Sequence, residues 1–313
     1  MNSRRIFLKN LGLISGSFAI ANTLPFSSFG DVSKFDFQIS LAEWSLHKEL
    51  FRKKITNLDF PAIAKNKYDI NIVEYVSQFF PDKAKDQSYL KALKHRCDDN
   101  GVQSHLIMVD QEGSLAATGK KERNVAVENH YKWVEAAKYL DCKSVRVNLH
   151  GEGNEIEWKD ASIDSLTKLV NFAAKMNINI IVENHGQWSS KGYLVAEVMK
   201  DVNHKNCGTL PDFGNFCVKR EKGDLWESPC IDWYDRYEGV KEMLPYAKGI
   251  SAKSFDFDTD GNEIKTDYDR MFKIIKSSGF KGIIGIEYEG EKMSEEEGIK
   301  ATKKLLERIK SQN

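Results

Sequence analysis

Eight short apolar runs of β-type residues alternate with longer amphipathic segments, and this alternation constrains the fold more than any other feature. The runs are residues 37–41, 70–75, 103–109, 144–149, 178–183, 207–210, 248–252 and 283–288. Between them, helical spacing is clear over 89–100, 126–140, 163–176, 192–202 and 268–278. Several of these segments stop at Asn or Gly (Asn100-Gly101, Asn177, Gly279), residues that end helices. Strand–helix alternation predicts a parallel sheet with right-handed crossovers, and eight units predict a single (β/α)8 barrel of the TIM type. An open doubly wound sheet is the other arrangement with this element order. It usually carries a glycine-rich loop after its first strand, and residues 40–47 contain no glycine. Residues 294–310 predict a closing helix, with Glu295, Glu296 and Glu297 at its positive end and Lys303, Lys304, Arg308 and Lys310 toward the other.

The first thirty residues do not fit this pattern. Ser3-Arg4-Arg5-Ile6-Phe7-Leu8-Lys9 precedes an apolar run from Leu11 to Ala21, which closes on Ala19-Ile20-Ala21. A charged start, a short apolar run and a small-x-small site predict an export signal. The run is too short to span a bilayer. The paired arginines before Phe-Leu-Lys read as a twin-arginine signal, with a Sec signal or an uncleaved anchor as the other readings. The expected organisation is therefore a signal and tether over 1–30 and the barrel over 31–313. The expected location is the periplasm, with no stable membrane association after cleavage. An oligomer remains open.

Lys plus Arg and Asp plus Glu number 46 each. Losing Arg4, Arg5 and Lys9 with the signal leaves the rest about three charges negative. That balance argues against a nucleic-acid partner. The five cysteines, Cys97, Cys142, Cys207, Cys217 and Cys230, show no CxxC spacing. Most are expected to be small buried apolar groups, with room for one bridge.

In a barrel, chemistry sits where strands end at the C-terminal face. The second strand ends at Glu74 and the third at Asp110. The fourth offers Arg146, Asn148 and His150, and the fifth Glu183, Asn184 and His185. Asp212 follows the sixth, Ser251, Lys253 and Ser254 belong to the seventh, and Glu287 and Glu289 to the eighth. Carboxylates that end apolar strands must be solvated, paired or metal-bound, because a buried lone charge is too costly. Glu183, Asp212 and Glu287 would converge on one side of the mouth. Either a divalent cation reconciles them, or each pairs with a neighbour such as Lys253 or Arg146. Arg146, Asn148, His150, His185, Lys253 and Glu74 are the expected substrate contacts; for His150 a structural role is equally open. His47, His95, His130 and His204 fall on or beside predicted helices. Residues 214–245 exceed an ordinary strand–helix loop and carry Trp226, Trp233, Tyr234, Arg236 and Tyr237. They read either as a lid at the mouth or as a helix with a packed aromatic face.

Three segments carry a resemblance. Ile181-Val182-Glu183-Asn184-His185-Gly186, Leu210-Pro211-Asp212-Phe213-Gly214-Asn215 and Gly285-Ile286-Glu287-Tyr288-Glu289-Gly290 resemble the sugar phosphate isomerase/epimerase family, which has the xylose isomerase-like barrel. The resemblance covers the chain after the signal. It implies one divalent metal ion (Mn, Mg, Zn or Co) held by Glu183, Asp212 and Glu287, with Glu183 and Glu287 also moving protons beside a carbonyl. The family often supplies a histidine from the seventh strand, and Ser251 stands there instead. The implied activity is isomerisation or epimerisation of a sugar or keto-sugar, a small-molecule substrate. Rival readings are a lyase or hydrolase on a keto-glycoside, an endonuclease of the same superfamily, and a non-catalytic sugar-binding protein.

Overall fold

Strands buried on both faces read as near-continuous apolar runs, and all eight predicted runs become strands. The computed structural model describes residues 35–312, so the predicted signal lies outside the described residues. In chain order the strands are β1 (Gln38–Ala42), β2 (Ile72–Val76), β3 (Gln103–Met108), β4 (Ser144–Asn148), β5 (Asn179–Glu183), β6 (Cys207–Leu210), β7 (Cys217–Arg220), β8 (Cys230–Trp233), β9 (Ile250–Ser254) and β10 (Ile283–Tyr288). Eight of them form one parallel sheet in the order β6-β5-β4-β3-β2-β1-β10-β9. Parallel bridges Thr209–Ala247 and Asp212–Ser251 join its two ends, so the barrel is nearly closed. The open doubly wound alternative is thereby excluded. β7 and β8 form a separate antiparallel hairpin.

The helices, α1 (His47–Phe51), α2 (Phe60–Tyr68), α3 (Gln87–Asn100), α4 (Lys120–Tyr139), α5 (Glu155–Ala174), α6 (Gly192–Val202), α7 (Arg236–Met243), α8 (Tyr268–Ser277) and α9 (Glu295–Ser311), start and stop on local chemistry. α3 (Gln87–Asn100) is capped by the Asp86 carboxylate and ends at Gly101 with φ of 62°. α5 (Glu155–Ala174) begins two turns before the expected position. Asn154 accepts from the Ile156 and Glu157 amides while Glu157 reaches back to the Asn154 amide, a capping box. α9 (Glu295–Ser311) is the predicted closing helix, with Ser294 and Glu297 forming a second capping box.

Two apolar clusters hold the barrel. A large one fills the layer between strands and helices, and Cys97, Cys142 and Cys207 are buried thiols of this kind. A small one, Ala42, Val76, Leu106, Met108, Ile181 and Leu210, plugs the barrel interior. Above the plug the interior turns polar, so the mouth has a floor of titratable side chains.

One buried carboxyl lies outside that floor. Glu43, directly after β1, is fully buried and accepts from Asn57 Nδ2 and the Val76 amide, each at 2.9 Å. Burial pushes its pKa up to about 8. A carboxyl raised in the folded state stabilises the fold fully below its unfolded pKa, and that stability is lost as pH rises through the folded value. Stability is therefore expected to decline between about pH 4.5 and 8, with Glu43→Gln removing this residue's share. Denaturant unfolding of both proteins at pH 5 and pH 8 checks it; equal slopes would refute the assignment.

Candidate active site

The strand register brings the C-terminal residues of five strands to one level. Asn148 of β4 pairs with Glu183 of β5, and Lys253 of β9 pairs with Glu287 of β10. Asp212 follows β6 and is bridged to Ser251 of β9. As a result, one carboxylate oxygen from each of Glu183, Asp212 and Glu287 lies within 4.8 Å of the others, and all three residues are buried.

Each carboxylate is positioned by its neighbours. Asp212 Oδ1 accepts from the Gly214 and Asn215 amides at 2.7 and 2.8 Å. Ser251 Oγ lies 2.6 Å from Asp212 Oδ2 and 2.9 Å from Glu287 Oε2. A hydroxyl carries one hydrogen, so it can serve both fully only when one carboxyl holds a proton. Lys253 Nζ lies 2.9 Å from Glu287 Oε1, 3.1 Å from Glu289 Oε2 and 4.0 Å from Asp212 Oδ2. Trp44 Nε1 donates to Glu289 Oε1 at 2.6 Å. Asn215 Nδ2 donates to Glu183 Oε1 at 3.0 Å. Arg146 Nε lies 2.8 Å from Glu183 Oε2, yet neither atom is aligned for a hydrogen bond, so the attraction is coulombic. The same guanidinium donates to Asp110 Oδ1 at 2.7 Å and to Asn148 Oδ1 at 3.1 Å.

Electrostatics follow from burial. Burial raises Glu183 well above the usual carboxylate range against the pull of Arg146, and raises Asp212 to about 6 against that of Lys253. Burial opposes the charge on Lys253 as well, but Asp212, Glu287 and Glu289 hold its pKa well above the ordinary lysine value. Asp110 is largely buried, which pushes its pKa up, yet the Arg146 guanidinium beside it keeps it well below its ordinary value. His185 and His150 are lowered by burial, and are therefore neutral near pH 7. Around the floor, Glu74, Asp110, Glu183, Asp212, Glu287 and Glu289 face two permanent cations, Arg146 and Lys253.

This donor set fits a divalent cation. Three carboxylates and a hydroxyl converge, all of them oxygen ligands. Glu183 Oε2 is buried without a hydrogen bond and has only the coulombic pull of Arg146 at 2.8 Å. Lys253 occupies part of the same electrostatic position.

A cavity of about 1130 Å³ opens above the floor. Arg146, Asn148, His150, His185, Lys253 and Glu287 all line it. Glu183 and Asp212 lie one layer back, against Asn215, Arg146 and Lys253. Glu74 departs from expectation. β2 runs on to Val76, so Glu74 sits within the strand, below the mouth, and does not line the cavity. Its Oε1 accepts from Ser40 Oγ at 2.6 Å, and its Oε2 fills the space left by the missing side chain of Gly285. Burial raises its pKa to about 7. Of the four histidines expected on or beside helices, only His130 reaches the cavity wall, with Nδ1 bonded to the Ala126 carbonyl. Trp44 and Asn215 were not singled out as site residues from the sequence. A tryptophan two residues after the first strand was the available signal for one, and the Asp-Phe-Gly-Asn run for the other.

The 214–245 insertion is a hairpin followed by a helix. Its first part is the β7–β8 hairpin, clasped by a Cys217–Cys230 disulfide. Its second part is helix α7 (Arg236–Met243), packed on α6 (Gly192–Val202). The hairpin carries Arg220, Leu225, Trp226 and Trp233 onto the cavity wall.

Residues 63–311 match the family described as Xylose isomerase-like TIM barrel. The chain belongs to that family. Among solved structures it is similar to the IOLI protein crystallised with a binding zinc atom, at 18% identity, 88% of this chain, 99% of that one and a TM-score of 0.67. It is similar to L-ribulose 3-epimerase at 12% identity, 88% and 95% coverage and a TM-score of 0.66. The apo form of 3-keto-D-glucoside 4-epimerase YcjR from E. coli matches at 11% identity, 87% and 100% coverage and a TM-score of 0.60. At these identities the likeness shows a shared fold. No curated protein matches the chain.

Proposed function

We propose that this member of the xylose isomerase-like family is a metal-dependent isomerase or epimerase of a sugar or keto-sugar. The observation that carries the reading is the convergence of Glu183, Asp212 and Glu287 at the barrel mouth. Similarity to L-ribulose 3-epimerase and to 3-keto-D-glucoside 4-epimerase supports the substrate class. Export to the periplasm by the twin-arginine route is part of the proposal. The Ser-Arg-Arg-x-Phe-Leu-Lys start supports it, and a disulfide suits an oxidising compartment.

Glu183, Asp212 and Glu287 would hold the ion, with Ser251 Oγ beside two of them in place of the histidine often found there. A divalent ion bound there supplies charge stabilisation to a substrate oxygen as the neighbouring carbon loses its proton. The chain's own groups do the rest. One of Glu183 and Glu287 would take the proton as carboxylate and the other return one as the acid, although of the two only Glu287 lines the cavity in this structure. Arg146, Asn148 and the neutral His185 fix substrate hydroxyls.

Elemental mass spectrometry of purified protein beside Glu183→Gln and Asp212→Asn tests the reading. Near-stoichiometric metal in the wild type that falls at least several-fold in both variants is the expected outcome. No bound metal after incubation with Mn, Mg, Zn and Co ions would sink the mechanism.

A further inference from the structure

The cavity is larger than the reacting centre requires. Small-molecule pockets span roughly 300–1,000 Å³, and this one is about 1130 Å³. One wall is the disulfide-clasped hairpin, which brings Arg220, Leu225, Trp226 and Trp233 to the cavity. Trp226 and Trp233 line the cavity and remain 44% and 55% exposed. Large apolar side chains left open inside a concave site mark a place for an apolar ligand face.

Trp226 is held in place from several sides. It meets His185 edge-on, with ring centroids 4.5 Å apart and planes at 61°. The Arg220 guanidinium lies over its ring at 5.7 Å. Arg220 itself is tied to the Leu225 and Ser228 carbonyls at 2.7 and 2.6 Å, which fixes the hairpin tip. The approach to the barrel runs over Gly186, where φ is +90° and a Cβ would stand 3.6 Å from the indole. Trp226 therefore adjoins His185, another residue of the cavity lining, and keeps 44% of its surface exposed.

We propose that the hairpin forms an outer subsite for the second ring of a glycoside, with Trp226 as the stacking face. The reacting sugar lies on the floor among Glu287, Lys253 and Arg146. The linked ring, a sugar or an aryl group, rests against Trp226 and Trp233. This deepens the sugar-binding part of the reading above and rests on it. The two ring types share one requirement, a flat apolar face.

The test is calorimetric binding of free hexoses and pentoses, their 4-nitrophenyl glycosides and the matching disaccharides to the metal-loaded wild type and to Trp226→Ala. For at least one sugar, the glycoside is expected to bind roughly fivefold or more tightly than its parent. Trp226→Ala should bring that ratio close to one, and Trp226→Phe should restore part of it. A preference for the aryl glycoside or for the disaccharide tells which ring the subsite takes. If no glycoside binds more tightly than its parent, or the advantage survives Trp226→Ala, the proposal is overturned. The isomerase reading is scored separately, by deuterium uptake from solvent into bound sugar. Loss of that signal with the affinity ratio intact would sink the chemistry and leave the subsite standing.

Discussion

Glu287→Gln is expected to slow turnover and solvent-deuterium uptake by about 10²- to 10⁴-fold, the usual worth of a positioned acid–base group. Glu287 is the one carboxylate of the buried three that faces the cavity. Gln keeps the shape and one oxygen but cannot exchange a proton at that point. Lys253 keeps Glu289 at 3.1 Å and Asp212 at 4.0 Å, so the ammonium is not orphaned and the fold should survive. Deuterium uptake by mass spectrometry, beside a thermal melt of each protein, separates chemistry from unfolding. A variant that melts like the wild type and still exchanges within a few-fold of it would remove Glu287 from the proton path.

Arg146→Met is expected to destabilise the barrel by about 3–5 kcal/mol at neutral pH, the cost of stripping one partner from a buried ionic group. Arg146 is only 4% exposed and stands between Asp110 at 2.7 Å and Glu183 at 2.8 Å. Methionine fills similar volume and leaves both carboxyls without a counter-charge. The sign with pH follows. Arg146 holds Asp110 low, so in the wild type this carboxylate stabilises the fold at neutral pH and that share is lost only as pH falls through its depressed value. Without the guanidinium, burial dominates, Asp110 prefers its neutral form, and the variant loses stability as pH rises. The deficit should therefore shrink between pH 7 and pH 4.5. Urea unfolding at both values measures it, and a pH-independent deficit would mean that lost packing, not charge, is the cause.

Much of this site was legible because each of its carboxylates closes an apolar strand. Glu183, Asp212 and Glu287 stand at corresponding points of the β5, β6 and β10 repeats, and strand periodicity alone places them at one level. Glu74 was misplaced for a reason of two residues. β2 continues through Tyr75 and Val76, which carries Glu74 down into the barrel opposite Gly285. Lys253 and Ser254 lie within β9 because the strand ends two residues later than its apolar run suggests. The hairpin was not legible at all. Its strands are four residues each, their outer positions are polar, and Cys217 and Cys230 are 13 residues apart with no motif to pair them. Tertiary proximity to the mouth, rather than local propensity, makes that segment a wall.

The disulfide has a consequence for how the molecule matures. It links two residues of one hairpin, so no barrel strand or helix is covalently tied by it. The barrel can therefore be complete while the thiols are still reduced, with only the aromatic wall left to be locked by oxidation. Batches of identical sequence made under reducing and oxidising conditions would share one floor and differ at one wall. Oxidation history, rather than mutation, would then set how well the chain tells a large sugar from a small one.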